Sequence, residues 1–194
     1  MSSNLRERRR RQTADEIQHA ALRLALSVGY DSMTTEGIAA EAGISARTFF
    51  NYYSNKQAAL LGSPPCMEAE ASRWIIQSQN RLLDDLVTLL AGFLAEKGLD
   101  RRKIRMIRDV LAASPELEPM FHDMLEGNTR VLAAVLQERL GPGCEAEAEL
   151  LAALATGALS HAVRDWACDD VMPAEEIPTL LRRRLETVCR LLCP

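Results

Sequence analysis

GISARTFFNYYSNK, Gly43 to Lys56, is the stretch whose reading decides the fold. It holds four of the chain's seven Phe and Tyr residues, Phe49, Phe50, Tyr52 and Tyr53, within five positions. A hydrophobic core has no use for aromatics on adjacent positions that point to different sides. On a helix, Phe49 and Tyr53 lie four apart and share the inward face. Ala46, Arg47, Phe50 and Asn51 then turn the other way, with Thr48 at the boundary and Tyr52 on a flank. Ser45 caps this helix, about Ala46 to Tyr52, and Ser54 with Gln57 forms a capping box for the next.

Upstream, Thr34 or Thr35 caps a short helix running to about Ala42, which buries Ile38, Ala39 and Ala42; Gly43 permits the tight turn after it. Before that, Thr13 and Glu16 match a capping box, so a first helix is expected from Thr13. Ile17, Ala20, Ala21, Leu24, Ala25 and Val28 form its apolar stripe, and Gly29 suits its C-cap. Downstream, Ser63-Pro64-Pro65 stops the helix that buries Leu60 and Leu61. The domain boundary is expected there, giving residues 1–62 and 63–194. Longer helical patterns follow at about 66–78, 80–97, 101–113, 116–140, 146–168 and 174–192, and strand-type alternation is absent. The expected class is all-α, about nine to ten helices, a small three-helix bundle followed by a larger helical domain.

Composition narrows the functions. Hydrophobic residues make up 47% of the chain, as in globular proteins. No run of about 18 apolar residues suggests a membrane span, and the basic amino-terminal stretch lacks a secretory apolar core, so the cytoplasm is expected. Five scattered cysteines (Cys66, Cys144, Cys168, Cys189, Cys193) without a CxxC fit reduced structural thiols rather than a metal site. There is no GxSxG, GxxxxGK[ST] or HExxH, and His19, His122 and His161 have no partner at metal spacing, so neither an enzyme nor a cofactor is expected. The net charge of −4 is uneven: residues 1–62 carry eight Arg/Lys against six Asp/Glu, and the excess sits at Arg6, Arg8, Arg9, Arg10 and Arg11. Such an arm is either a solvated terminus or a contact for a polyanion.

Two short helices joined at Gly43 make a helix-turn-helix candidate, in which the second helix enters the major groove. The outward set suits a duplex: Arg47 for guanine, Asn51 for adenine, Thr48 for phosphate or a thymine methyl, Tyr52 for phosphate. Lys56, in the first turn of the next helix, is placed for phosphate. A small helical bundle with a polar face is the bland alternative.

The stretch MTTEGIAAEAGISARTFFNYYSNKQAALL resembles the DNA-binding signature of TetR-family transcriptional regulators, matching it at Thr34, Ile38, Ala39, Ala42, Gly43, Ser45, Thr48, Phe49, Tyr52, Lys56 and Leu60. The resemblance covers about residues 10–62. It implies a homodimeric repressor on double-stranded operator DNA, released by a small molecule. It also implies DNA contacts from Thr35, Ala46, Arg47, Thr48, Phe50, Asn51, Tyr52 and Lys56, with Arg8 to Arg11 as a DNA-reaching extension. Phe50 stands where most members carry Tyr and lacks that hydroxyl.

In the family the last two helices build the dimer; here Leu150, Leu154, Ala158 and His161 on the first, and Leu181, Leu185 and Val188 on the second, are the expected dimer residues. Phe93, Met106, Met120, Phe121, Met124 and Trp166 are candidates for an effector pocket or for plain core. Five cations between Arg101 and Arg108 are either a solvated face or an attraction for an anionic effector. RMIRDVLAASPELEPMFHDM with LAAVLQERLG also resembles regulators of the mycofactocin type, which implies an acyl-CoA-like effector; a hydrophobic drug or metabolite is the alternative. Control by a protein partner, without a small molecule, is the competing reading.

Overall fold

The computed structural model describes residues 2–62 and 67–192. The Ser63-Pro64-Pro65 break, Cys66 and Cys193 lie outside the described residues. The elements are α1 Ser2–Val28, α2 Thr35–Glu41, α3 Ala46–Phe50, α4 Lys56–Leu61, α5 Ala69–Ser72, α6 Trp74–Gln77, α7 Leu82–Lys97, α8 Arg101–Ala113, α9 Glu118–Leu140, α10 Glu145–Cys168 and α11 Ile177–Leu192. No strand occurs among the described residues, and the fold is all-α as expected. The helices group into two compact units: Met1–Pro64 with Arg102–His122, and Pro65–Arg101 with Asp123–Pro194.

In the first unit α1 packs on α2 and α4, and α2 on α3. Ile17, Leu22, Met33, Ile38, Phe49 and Leu60 are fully buried. Two expectations need correction. The helix does not start at Thr13 but runs on from Ser2, because Arg, Leu, Glu and Gln in the preceding turns are strong helix formers and the capping box cannot compete with them. Val28 is half exposed at the last turn, whereas Leu22, outside the expected stripe, is fully buried. Gly29 does end α1, at φ 84°, a left-handed conformation that suits glycine.

In the second unit α11 packs on α10 and α7. Ala148, Ala152, Ala155, Leu159, Ala162 and Trp166 are the buried line of α10, and Ile177, Leu180, Leu181 and Leu185 that of α11. The helix expected at 66–78 is instead two single turns, α5 and α6, broken at Arg73. A buried charge pair stabilises the irregular residues after them. Arg139 on α9 meets Asp85 on α7 at 2.8 Å, with both side chains almost out of solvent. Arg139 also donates to the carbonyls of Ile75 and Asn80, and the Asn80 amide donates to Asp85 at 3.2 Å. These hydrogen bonds surround the pair with further polar partners, as a buried pair requires, although Asp85 Oδ2 itself faces Arg139 without a hydrogen bond of ordinary geometry.

Candidate DNA-binding surface

The turn chemistry fixes α3. Thr34 caps α2 by accepting the Gly37 N–H at 3.0 Å, and Ser45 caps α3 by accepting the Thr48 N–H at 3.1 Å. Gly43 joins them at φ 68°, a left-handed conformation in which a side chain would be strained. The end of α3 tightens: Asn51 and Tyr52 bond three residues back, to Thr48 and Phe49, so the helix closes at Phe50 rather than Tyr52. The following helix is capped by Asn55, whose Oδ1 accepts the Ala58 N–H at 2.7 Å, and not by Ser54 with Gln57. Asn55 stands three residues before Ala58, the cap spacing that Thr34 and Ser45 also use; the Ser54–Gln57 pair matched the stronger capping-box pattern one residue too early.

The aromatic cluster separates by face. Phe49 is fully buried and Tyr53 nearly so, while Phe50 is 53% exposed. Phe49 meets Phe50 edge-on, with ring centroids 5.3 Å apart, and Tyr53 at 6.3 Å. Tyr53 donates from its hydroxyl to the Ala14 carbonyl at 3.1 Å, which ties the segment after α3 to α1. Burial, with Asp15 adding to it, pushes the Tyr53 phenol up to about 12. Burial also raises the Tyr30 phenol.

Around Phe50, Arg47 and Asn51 are exposed, and Ala46, Thr48 and Tyr52 are half-buried. Thr35 at the start of α2 is also half-buried. Two hydroxyls have partners already: Thr48 Oγ1 lies 2.8 Å from Ser45 Oγ, and Thr35 donates to Glu36 at 3.1 Å. One exposed ring and one guanidinium on α3, with the amide of its C-cap Asn51, can make apolar, bidentate and amide contacts to base edges. Arg8, Arg9, Arg10 and Arg11 are exposed on α1, but consecutive positions of a helix turn by about 100° each, so they ring it rather than line one side.

The Lys56 side chain does something its sequence position does not announce. Its Nζ donates to the carbonyls of Tyr30 at 2.9 Å, Asp31 at 3.3 Å and Met33 at 3.1 Å, and sits 4.4 Å from the Tyr30 ring centroid.

The remaining expected residues fall as follows. Met106, Met120 and Phe121 belong to the first unit, and Phe93, Met124 and Trp166 to the second. Met106 and Trp166 are buried, the other four half-buried. The Arg101 guanidinium lies 4.6 Å from the Trp166 ring centroid and donates to the carbonyls of Asp170 and Met172, pinning the connection from α10 to α11. Asp169 accepts the N–H groups of Val171 and Met172 there, which lowers its carboxyl pKa. Lys103 pairs with Asp15 at 3.0 Å and Arg108 with Asp109 at 2.7 Å. Much of the cationic run is therefore engaged with the chain itself.

Among the expected dimer residues, Leu150 is 72% exposed, Leu154 and His161 are exposed, and Ala158 and Val188 are half-buried. Leu181 and Leu185 are correctly apolar but face inward, spending their surface in the unit's own core. A depression of about 380 Å³ lies on the α10 and α11 surface, lined by Asp165, Leu180, Arg183, Arg184, Thr187 and Val188.

Known proteins resemble this chain in sequence and in fold. The family model described as bacterial regulatory proteins, tetR family, matches residues 17–61, from the buried middle of α1 to the end of α4. Over 136 residues the chain is 29% identical to a protein named as the mycofactocin biosynthesis transcriptional regulator MftR of Mycobacterium tuberculosis, a match covering 69% of each. A solved TetR-family transcriptional regulator from Mesorhizobium loti has the same fold at 17% identity and a TM-score of 0.57, over 94% of this chain and 98% of that one. FadR of Thermus thermophilus, a TetR-family repressor solved in complex with lauroyl-CoA, does so at 20% identity and a TM-score of 0.50, over 91% and 93%. Residues 17–61 thus match the helix-turn-helix segment of TetR-family transcriptional regulators, and the chain as a whole shares the fold of solved members of that family.

Proposed function

We propose that the protein is a homodimeric repressor that grips operator DNA through α3 and releases it when a small molecule binds. The observation that carries this is the two-sided α3: Phe49 is locked inward while Phe50, Arg47 and Asn51 stand out on a helix capped at Ser45. Arg47 and Asn51 read base edges, Phe50 supplies apolar contact, and Thr35, Ala46, Thr48 and Tyr52 approach the backbone or neighbouring bases. Arg8 to Arg11 add sequence-independent attraction. Residues 1–62 act as the reading domain, and 63–194 bind the effector and the second copy.

A hydrophobic or acyl-CoA-like compound is the effector class to try first. The support is the likeness to MftR over two thirds of the chain, together with the lauroyl-CoA held by a FadR of the same fold. Release follows if the effector binds one spacing of the two reading helices better than the other.

Mobility shifts on a duplex selected by the wild-type protein from random sequence test both parts. Arg47→Ala weakens binding by about 1–3 kcal/mol and relaxes preference at one base pair. Tyr52→Ala weakens binding to all sequences alike. Unchanged shifts for both variants overturn the assignment of α3. Medium- and long-chain acyl-CoAs are then added to the wild-type complex, and failure of every chain length to release DNA rejects that effector class.

A further inference from the structure

We infer that Lys56 is a positioning residue: its ammonium locks the α1–α2 connection against α4, and so sets where the reading helix stands, instead of binding DNA phosphate. An ammonium has three N–H donors and no acceptor. Three backbone carbonyls, of Tyr30, Asp31 and Met33, lie within hydrogen-bond distance of Nζ. The Tyr30 ring, itself buried, covers another side at 4.4 Å. A phosphate would have to displace these carbonyls to reach the charge.

The acceptors explain the need for a cation. The turn at residues 29–34 follows the end of α1, where the last carbonyls of a helix lack intrahelical partners. The ammonium gathers three carbonyls of that connection onto one donor group, and its charge makes each bond stronger than a neutral one. Lys56 is the first residue of α4, and Thr34, the cap of α2, follows one residue after Met33. The side chain thus ties the entrance of α2 to the start of α4, the two elements on either side of α3 in the chain. Lysine suits this better than arginine, because a compact ammonium can donate to a pyramidal set of three oxygens, whereas a planar fork cannot.

The inference rests on the DNA-binding reading for its functional half, and the experiment separates the two. Full-length wild type, Lys56→Met and Arg47→Ala are compared on the selected duplex across a range of salt concentrations. Lys56→Met keeps the length and the apolar stem but removes the donors. It is expected to weaken binding while leaving the slope of log affinity against log salt unchanged. A lost phosphate contact would flatten that slope by about 0.9 per site. Thermal unfolding of Lys56→Met is expected about 4 °C lower. Amide exchange is expected to quicken at residues 30–34, a local readout that loss of a surface phosphate contact would not move.

Should Lys56→Met not fold, the ¹⁵N signal of the wild-type Lys56 ammonium serves instead. Its protons should exchange slowly, and its shift should stay the same when the duplex is added. A flattened salt slope with unaltered exchange at residues 30–34, or an ammonium signal that moves on adding the duplex, overturns the inference. If wild type itself fails to bind duplex, the DNA-binding reading falls, while the exchange and ammonium measurements still decide whether Lys56 is the lock.

Discussion

Tyr53 illustrates how a side chain can serve a surface it does not reach. Its hydroxyl bonds to the Ala14 carbonyl, and its ring backs Phe49 from behind α3. Tyr53→Phe keeps the ring and removes one part-buried hydrogen bond. Ala14 lies within α1 and its carbonyl can keep a helical partner, so the loss is about 0.5–1.5 kcal/mol. The pH dependence gives a sharper test. Burial raises the phenol to about 12 from 10.0 in an unfolded chain, so the folded state holds the proton more tightly. That contribution is complete below about pH 10 and is lost as pH climbs toward about 12. Urea unfolding of both proteins at about pH 9 and about pH 11 should therefore show the advantage of wild type over Tyr53→Phe shrinking at the higher pH. A constant difference would mean that the phenol is not buried as described.

At the scale of the element, the end of α4 is set by contact as much as by backbone. Gly62 closes α4 at φ 76°, and a β-carbon there would come within 2.3 Å of the buried Gln18 amide. That amide donates to the Leu60 carbonyl at 3.2 Å. Gly62→Ala is expected to cost about 1–2 kcal/mol for the left-handed backbone and about 1 kcal/mol more for the displaced amide bond. Thermal melts of Gly62→Ala, Gln18→Ala and the double variant check the second part. Removing the Gln18 amide should relieve the clash, so the double variant should be more stable than the sum of the single effects allows. Strict additivity would sink the close-approach argument.

What the sequence made legible follows from the same distinction. The cap at Ser45, a threonine cap at Thr34 or Thr35 that the structure resolves to Thr34, the turn at Gly43 and the division of Phe49 from Phe50 are local, and local spacing shows them. The early start of α1 was hidden because a capping box and a run of helix formers compete within one stretch. The Lys56 lock and the Arg139–Asp85 pair were not visible at all. Their partners lie 23 to 26 residues away for Lys56, and on separate helices for Arg139, where no periodicity connects them.

Across the whole molecule, the proposed dimer is where buried and exposed leucines must be told apart. The expected face of α11 included Leu181 and Leu185, but these fill the second unit's core, and cutting them would unfold it rather than separate two copies. Leu150 and Leu154 on α10 are different: both are exposed, and they lie one turn apart on the same side of the helix. Polar residues that are exposed in isolation cost nothing there, whereas leucines exposed in pairs gain from a partner that removes them from water, at about 25 cal/mol per Å². Replacing both with glutamate leaves the second unit's core untouched and sets like charges against each other across a symmetric contact, where each copy presents the same patch. Sedimentation of Leu150→Glu/Leu154→Glu should shift the protein toward monomer, with helix content and melting of the separate chain preserved. Operator affinity should fall at the same time, because one reading helix covers only half of a two-groove site spaced about 34–36 Å. A double variant that stays dimeric would move the interface off this part of α10. One that turns monomeric yet binds the operator as tightly as wild type would remove the dimer from the proposed mechanism.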